Sequence, residues 1–487
     1  MPALWIWLAV AAFAALGMVI AVAARRGADG SAVDYFLAGQ GLGPVVSGLS
    51  YAATTYSAFM LVVLTGLTYR GGVGALGFEL IYFSGLTLLV IFGPRFWLAA
   101  RVHGIVTPPE LLARRYGSRQ VGRVAALVSL AFLMPYCTTQ MAGIGLLLSV
   151  VTDGAIPLTA AVATGAGLAL LWTLAAGLRS VAWTDAVQAG VMLVSALLAV
   201  GFVIAAIGGP AQMIESLIAE RPEWLDVPGP GLWSLPTFLA LSLPWFFFPL
   251  SNPQVSQRLF TLRDIGALRG MILWVLGFGL VFTLISVIWG FAALILAPGL
   301  ENTSTATPAL LASGAVPRGV AILLIVGILS AAVSTLDSIA LTLGSIVARD
   351  IGPRGTSDRA QVMTGRIVVV LVILFASGFA LRQAAIVDQL AALSAAGLVV
   401  SVPAIVGAFF WHRGTAAGAL SSMAGGAGLA LWLAMGRGVS VFDPLLPGAV
   451  LGVAAVLFVG VSLLTKPRPG ALDFNTLKPR LSEHRVW

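Results

Sequence analysis

The sequence predicts an all-α polytopic membrane protein, and three observations carry this prediction. Of the 487 residues, 59% are hydrophobic and only 9% are charged, whereas a soluble domain carries about 25% charged residues. Apolar runs of about 20 residues, the length that crosses a bilayer as a helix, recur along the whole chain. The segments between these runs are mostly short and read as loops. The lipid bilayer is therefore expected to surround most of the protein.

The apolar runs give about 13 candidate transmembrane helices. The first run has no basic residue before it and is followed by Arg25 and Arg26, so it is expected to be a retained helix and not a signal peptide. Residues 1–465 are interpreted as one transmembrane domain, and 466–487 as a polar, mobile cytoplasmic tail. The approximate limits of the candidate helices are 3–24, 44–69, 72–94, 124–151, 156–177, 183–208, 235–252, 271–298, 319–347, 366–384, 388–411, 414–436 and 443–465.

Basic residues predict the orientation of the chain. With the N-terminus outside and an odd number of spans, 22 of the 27 lysines and arginines, Arg258 among them, fall in cytoplasmic segments, and none is expected at mid-depth of a span. Cytoplasmic loops are enriched in positive residues, so the N-terminus is expected outside and the C-terminus inside. Because the basic residues are spread over short loops, the net charge of +8 does not indicate a nucleic-acid partner. The outer side receives only Arg70, Arg221, Arg318, Arg382 and Arg437.

Two spans carry residues that interrupt a helix. The second span is rich in small and hydroxyl residues at mid-depth, between Gly48 and Phe59. The seventh contains Pro244, Pro249 and Pro253, which cannot all sit in an unbroken helix. Transporters bind their cargo where a helix unwinds at the membrane midplane. The small residues could instead mark tight helix packing, and the prolines a kink at a loop edge.

The two interrupted spans lie five spans apart. This spacing predicts two inverted repeats of five helices each, at about 44–208 and 235–411, and each repeat opens with a broken helix. One extra helix precedes the repeats and two follow them.

The ninth span carries polar side chains in its middle. Ser334, Asp337 and Ser338 are spaced i, i+3 and i+4, so their oxygens share one helix face. Hydrocarbon cannot solvate a carboxylate, and an ionisable residue inside a membrane helix indicates an ion or substrate path. Oxygen ligands on one face suit a small, hard cation such as Na⁺. The hydroxyls alone could equally bond to a neighbouring helix or to carbonyls of their own helix.

Together, these segments and several short motifs resemble the sodium/solute symporter family, whose members share the leucine-transporter-type fold. The resemblance covers about residues 34–411 and is specific for the family but not for a substrate. The motifs are Leu49-Ser50 to Ser57, Pro108-Pro109-Glu110 within 107–119, Trp183-Thr184-Asp185 within 177–188, Gln257-Arg258 within 252–258, and Ser334-Thr335 within 330–335.

The resemblance implies a sodium site made of five uncharged oxygens. Carried over by motif, its ligands are the carbonyls of Ala53 and Tyr56 on the broken second span, the carbonyl of Ala331, and the hydroxyls of Ser334 and Thr335. Neutral oxygens replace the water shell of the ion and still let it leave again.

Some family members have a second sodium site, which here would use Asp185, Ser334, Asp337 and Ser338. Asp337 stands where relatives often have serine. Two carboxylates near one cation would bind it more tightly. Alternatively, one of them keeps a proton, because like charges at close range repel each other, and proton coupling therefore stays open. Asp185 could also be a helix-capping residue at the inner surface.

The resemblance also indicates candidates for the substrate site and the gate. A glutamate at the position of Glu79 contacts substrate hydroxyls in the sugar symporters of the family, although Glu79 could also face an outer vestibule. Phe248 falls where sugar carriers place a gating tyrosine, and packing is the alternative role. Thr55 replaces an aspartate of proline-type relatives, which weakens an assignment to proline. The full set of substrate and gate candidates is Thr54, Thr55, Ser57, Glu79, Phe248 and Asn252.

The function implied is sodium-coupled import of a small organic solute by alternating access across a bacterial-type inner membrane, with Na⁺ as the co-transported ion. A small carboxylate or an amino-acid-like solute is the best guess, and the oligomeric state stays open, with a monomer as one option. The alternatives are a proton-coupled symporter of the same fold, a solute sensor, and a membrane enzyme. An enzyme is disfavoured because His103, His412 and His484 lie in unrelated loops without metal-ligand spacing.

Overall fold

The computed structural model describes residues 1–26, 29–353, 355–383, 387–440 and 442–483. Arg354 and Arg485, which enter the charge distribution, and His484 lie outside the described residues, as does residue 384 at the end of the tenth predicted span.

The described chain is built almost entirely from helices, and every predicted apolar run coincides with one of them. We number the principal helices in chain order as α1 (Ala3–Ala24), α2 (Pro44–Thr55), α3 (Met60–Gly71), α4 (Gly74–His103), α5 (Arg119–Val151), α6 (Leu158–Ala175), α7 (Leu178–Ile207), α8 (Leu235–Phe246), α9 (Ile265–Leu296), α10 (Arg318–Ile351), α11 (Asp358–Arg382), α12 (Gln389–Phe410), α13 (Ala416–Gly436) and α14 (Leu445–Leu464).

Most of these helices are long and apolar enough to cross a membrane. Within the described residues, 11 helices meet this condition by length and composition, and α2 with α3 forms a bent pair that raises the number to 12. The remaining predicted span is α8, a shorter apolar helix of 12 residues. The protein is therefore a polytopic, all-helical membrane protein. A surface helix, Pro210–Glu220, lies in the long predicted outer loop after α7.

The second predicted span is interrupted, as its composition indicates. Helix α2 ends at Thr55, Tyr56 leaves the helical conformation with φ −92° and ψ 76°, and α3 begins at Met60 with a bend of 48° between the two helices. The Ser57 hydroxyl accepts a hydrogen bond from the Phe59 N–H at 3.2 Å, which satisfies one main-chain donor at the start of the next helix. Carbonyls at the end of α2 are left without helical partners.

The seventh predicted span is also interrupted. Helix α8 ends at Phe246, a single turn covers Phe248–Ser251, and Asn252 is extended with φ −96° and ψ 107°. Proline cannot donate a main-chain hydrogen bond, which explains why the chain continues as short turns through Pro253–Ser256 and Gln257–Phe260.

Helix α10 lies at the centre of the fold, where all of its residues from Leu324 to Ile346 are buried. It packs against α5, α7 and α11, and it also contacts α2. Helix α2 is in turn enclosed by α7 and α9. This packing holds the break after Thr55 against the polar middle of α10.

The C-terminal segment does not match the prediction of a mobile tail over its described part. Phe474, Leu477 and Leu481 are buried. The Phe474 ring stacks on Phe409 with centroids 5.2 Å apart, and the Leu472 N–H donates to the Arg114 carbonyl at 3.1 Å. The prediction was wrong because these apolar side chains, spaced three and four residues apart, form one packed face that outweighs the polar composition.

Candidate functional site

The break after α2 faces two hydroxyls of α10. The Ser334 hydroxyl donates to the Ala53 carbonyl at 3.0 Å and to the Ala331 carbonyl at 3.1 Å. The Thr335 hydroxyl lies 3.0 Å from the Ala331 carbonyl and 3.4 Å from the Ala53 carbonyl. All of these residues are buried, and so is Tyr56 at the break. Four of the five oxygens that the family resemblance indicates thus form one cluster, and the fifth belongs to Tyr56.

This cluster has the chemistry of a site for a small, hard cation. In an unbroken helix the Ala53 carbonyl would accept the N–H four residues further along the chain. The break removes that partner and leaves the oxygen available to the hydroxyls of α10. Uncharged carbonyl and hydroxyl oxygens in a water-poor interior are ligands that suit such cations.

A buried arginine lies beside this cluster, at a position where the sequence predicts a loop between two spans. Arg258 was placed in a cytoplasmic segment, yet only 3% of its side chain is exposed. Its Nη2 donates to Asp185 Oδ2 at 2.9 Å and to Thr54 Oγ1 at 2.6 Å, and it also donates to the Ser338 hydroxyl. The short turns after the break in the seventh span keep residues 257–260 inside the protein, although the length of the apolar run predicts an exit from the membrane.

Arg258 therefore ties α2, α7 and α10 together. Asp185 Oδ2 also accepts a hydrogen bond from the Ser50 hydroxyl at 2.8 Å. Removing one partner from such a buried pair leaves the other charge without compensation. We call Asp185, Arg258, Thr54, Ser338 and Ser50 the arginine cluster.

Asp337 is a buried acidic residue of this region whose side chain has no hydrogen-bond partner among the described residues. Both of its carboxylate oxygens are fully buried, and Asp185 Oδ1 likewise lacks a partner within these residues. The four residues of the predicted second cation site do not all face one point. Ser334 bonds to carbonyls near the first cluster, whereas Asp185 and Ser338 bond to Arg258.

The substrate candidates lie in three places. Thr54 belongs to the arginine cluster, and Asn252 bonds within its own turn, to Ser251 at 3.0 Å and to Gln254 at 3.3 Å. The others lie near the break after α2, where the Thr55 carbonyl accepts from the Tyr82 hydroxyl at 3.1 Å.

Aromatic rings line this second region. The Tyr56 ring contacts Tyr82, Phe278 and Phe282 at centroid distances of 5.9, 5.8 and 6.4 Å. Phe248 stacks on Trp245 at 5.4 Å. Because the Phe248 ring also packs on Tyr82 at 5.4 Å, it is part of the same wall. We call the following residues the aromatic cluster: Tyr56, Tyr82, Trp245, Phe248, Phe278 and Phe282.

Polar side chains occur inside the aromatic surroundings. Glu79 is fully buried on α4, and its Oε1 accepts from the Thr283 hydroxyl at 3.5 Å. The Ser57 hydroxyl lies 3.2 Å from the Tyr136 hydroxyl and 3.5 Å from Gln140 Nε2. The break, α4 and α5 thus contribute to one buried polar centre.

Several residues of these sites were not named as site candidates from the sequence, although Ser50 and Arg258 lie in family motifs: Ser50, Tyr82, Tyr136, Gln140, Arg258 and Thr283. Gln140 carried a usable signal, because an amide in the middle of an apolar span is costly unless it is hydrogen-bonded. Arg258 belongs to the Gln257-Arg258 motif, but the sequence did not predict that its side chain is buried.

Broken apolar helices that bring main-chain carbonyls, hydroxyls and buried polar side chains together are typical of an ion-coupled membrane transporter. The comparisons with known proteins agree. The chain belongs to the sodium:solute symporter family, whose family model matches residues 35–426. Its relatives are transporters, Na⁺ is the co-transported ion of the family, and the apolar helices and bacterial relatives indicate an integral protein of the bacterial inner membrane.

The similarity to known transporters extends over most of the chain. The osmoregulated proline transporter OpuE of Bacillus subtilis (strain 168) is 27% identical over 465 residues, which cover 91% of each protein. The sodium/proline symporter of Escherichia coli (strain K12) is 27% identical over 467 residues and covers 90% of this chain and 89% of its own. A solved structure of a Na⁺-coupled sialic acid symporter in a substrate-bound, outward-open state superposes with a TM-score of 0.80 at 18% identity, covering 96% of this chain and 99% of that one. This superposition shows the fold alone.

Proposed function

We propose that this protein imports a small organic solute by coupling it to Na⁺ that binds between α2 and α10. The observation that carries the proposal is the convergence of the Ser334 and Thr335 hydroxyls on the Ala53 carbonyl at the helix break. The proposed ligands are the carbonyls of Ala53, Tyr56 and Ala331 and these two hydroxyls. An ion in this position holds α2 and α10 together, so its binding favours one arrangement of the two helices over another.

The proposed transport cycle is alternating access between two inverted repeats, about 44–208 and 235–411, in a single transmembrane domain of residues 1–465. We count the interrupted segment around α8 as a span, which gives 13, with one extra helix before the repeats and two after. The equivalent positions of the two breaks, one at the start of each repeat, support this proposal.

The proposed orientation has the N-terminus outside and the tail in the cytoplasm. The predicted inner segments contact one another, as in the Arg349–Glu110 pair at 3.2 Å and the Arg179–Asp34 pair at 2.6 Å. The N-terminal amine instead lies at the Val151 carbonyl, at the predicted outer end of α5. Lipid and a small solute are the proposed partners, and a monomer is sufficient for the mechanism.

The solute is proposed to be amino-acid-like or a small carboxylate. The names of the proline-transporting relatives support an amino-acid-like solute. Thr55, in the place of an aspartate, sets this chain apart from proline-type relatives.

Uptake by proteoliposomes tests the proposal. Radiolabelled solutes are offered with an inward Na⁺ gradient, with equal Na⁺ on both sides, and with K⁺ in place of Na⁺. Accumulation only in the first condition supports symport. Accumulation that follows a proton gradient and ignores Na⁺ contradicts sodium coupling and favours the proton-coupled alternative.

We also propose a second cation position at Asp337, next to the arginine cluster that contains Asp185 and Ser338; Ser334, the fourth residue predicted for this site, bonds to carbonyls of the first cluster instead. The support is a charge count: Asp185 and Asp337 bring two negative charges, and Arg258 brings one positive charge, all of them buried. One further monovalent cation would balance the group, and the unpartnered Asp337 oxygens are available to it. The arginine already satisfies Asp185 Oδ2, so Asp337 is the principal ligand.

Replacing Asp337 with serine should lower the ratio of sodium flux to solute flux by about half, because one of two cations loses its charged ligand. The ratio is measured from paired isotope fluxes in proteoliposomes. Ser330→Ala is the control, since the Ser330 hydroxyl donates only within its own helix, to Val326 at 2.7 Å. An unchanged ratio would mean that the carboxylate is structural. A loss of proton-driven uptake would assign a proton to it instead.

A further inference from the structure

We infer that the solute carries an ammonium group, which binds Glu79 within the aromatic cluster. The inference rests on the proposed symport function and narrows its two solute classes to one. It also excludes simple carboxylates, which would bring a second negative charge to a buried carboxylate.

Glu79 is the first reason. The residue is fully buried, and the hydrogen bond that it accepts from the Thr283 hydroxyl is 3.5 Å long, which is at the limit of such bonds. Its Oε2 has no partner among the described residues, and none of the ion pairs found there includes it. A buried carboxylate is costly unless a charge and hydrogen-bond donors compensate it. The solute is the component that can supply both.

The neighbouring polar atoms are the second reason. Gln140 Oε1 is a buried acceptor without a partner, and so is the Tyr56 hydroxyl oxygen, which can also donate. Acceptors without partners call for a ligand rich in donors. The buried cation of the arginine cluster, Arg258, is already engaged by Asp185 and Thr54.

The rings are the third reason. Tyrosine, tryptophan and phenylalanine faces attract cations within about 6 Å of the ring centre. Tyr56 and Tyr82 lie 5.9 Å apart beside the break, and Glu79 precedes Tyr82 by three residues on the same face of α4. A carboxylate beside aromatic faces is a site for a charged nitrogen. A polyol could reach the same acceptors but would leave the charge of Glu79 uncompensated.

Binding of matched compounds tests the inference. The purified full-length protein is titrated in Na⁺ buffer and in K⁺ buffer with pairs that differ only at one atom or group: L-alanine against L-lactate, and L-proline against tetrahydrofuran-2-carboxylate. Ethanolamine, propionate and glucose complete the set. The readout is the shift in thermal unfolding. Glu79→Gln keeps the size of the side chain and removes its charge. Glu215→Gln, on the exposed outer helix, is the matched control.

We expect at least one ammonium-bearing compound to stabilise the protein in Na⁺, and its oxygen analogue to bind at least about tenfold more weakly. Glu79→Gln should remove this preference, while Na⁺ alone still stabilises the variant, which shows that it is folded. The inference is overturned if no ammonium compound binds, if propionate, lactate or glucose binds as well or better, or if Glu79→Gln changes the Na⁺ response and leaves the preference intact. A sodium-dependent response to glucose or propionate would refute only the inference that the solute carries an ammonium group. Binding of every solute without regard to Na⁺ would refute the proposed symport function.

Discussion

Replacing Ser334 and Thr335 together with alanine is expected to raise the sodium concentration for half-maximal uptake by roughly 100-fold. Each hydroxyl contributes a contact to a charged ion worth about 1.5 kcal/mol, and two such losses sum to about 3 kcal/mol. The fold should tolerate the change, because both hydroxyls donate only to main-chain carbonyls in the structure. Uptake at a series of Na⁺ concentrations gives the value directly.

Ser330→Ala provides the matched control for this variant. Ser330 is buried on the same helix, and its hydroxyl donates to the Val326 carbonyl of α10 and not to a carbonyl of α2. Its sodium dependence should match that of the parent protein. If the double variant keeps the parent sodium dependence and transports normally, the proposed ligand set is incorrect.

The interrupted spans could be predicted from the sequence because the residues that interrupt each helix lie within the span itself. Three prolines within ten residues break any helix, wherever the segment lies, and the hydroxyl-rich stretch around Ala53 has few other roles in an apolar helix. The polar face of α10 follows from helical spacing alone. These signals identify the two breaks and Ser334, whereas Thr335 as a sodium ligand and Glu79 as a substrate candidate rest on the family resemblance.

The arginine cluster could not be predicted in the same way. Its members come from three helices and a short turn that are far apart in sequence. Loop charge is informative about the side of the membrane but not about burial in protein, and Arg258 is buried because the chain continues as short turns that pack against α2, α7 and α10. Only Tyr56 and Phe248 of the aromatic cluster were named from the sequence, for a similar reason: its rings lie on α4, α8, α9, the turn after α8 and the break after α2, and only packing brings them together. The packing of Phe474 in the C-terminal segment could not be predicted for the same reason, because its partner Phe409 is distant in sequence.

Replacing Arg258 with methionine is expected to destabilise the protein by about 3–5 kcal/mol and to abolish uptake, because it leaves the buried carboxylate of Asp185 without its ion-pair partner. The effect should exceed that of Asp185→Asn. The methionine variant leaves two buried carboxylates, Asp185 and Asp337, with no positive partner, whereas the asparagine variant leaves Arg258 facing Asp337, with balanced charge. Thermal unfolding of the purified variants measures both. Arg263→Gln is the control, since its pair with Asp264 is exposed.

The double variant with both substitutions separates charge balance from packing. Neutralising the pair together should recover part of the stability lost in the methionine variant, so that the two changes are non-additive by about 0.5–3 kcal/mol. Sodium adds a further test. Added Na⁺ should stabilise the methionine variant more than the asparagine variant, because a small cation can enter where the guanidinium was and face two carboxylates. Equal destabilisation by the two single changes, with equal responses to Na⁺, would show that Arg258 stabilises α2, α7 and α10 only through its hydrogen bonds and not through its charge. The carboxylates would then have to be neutral, and a second cation at Asp337 would have no charge to balance.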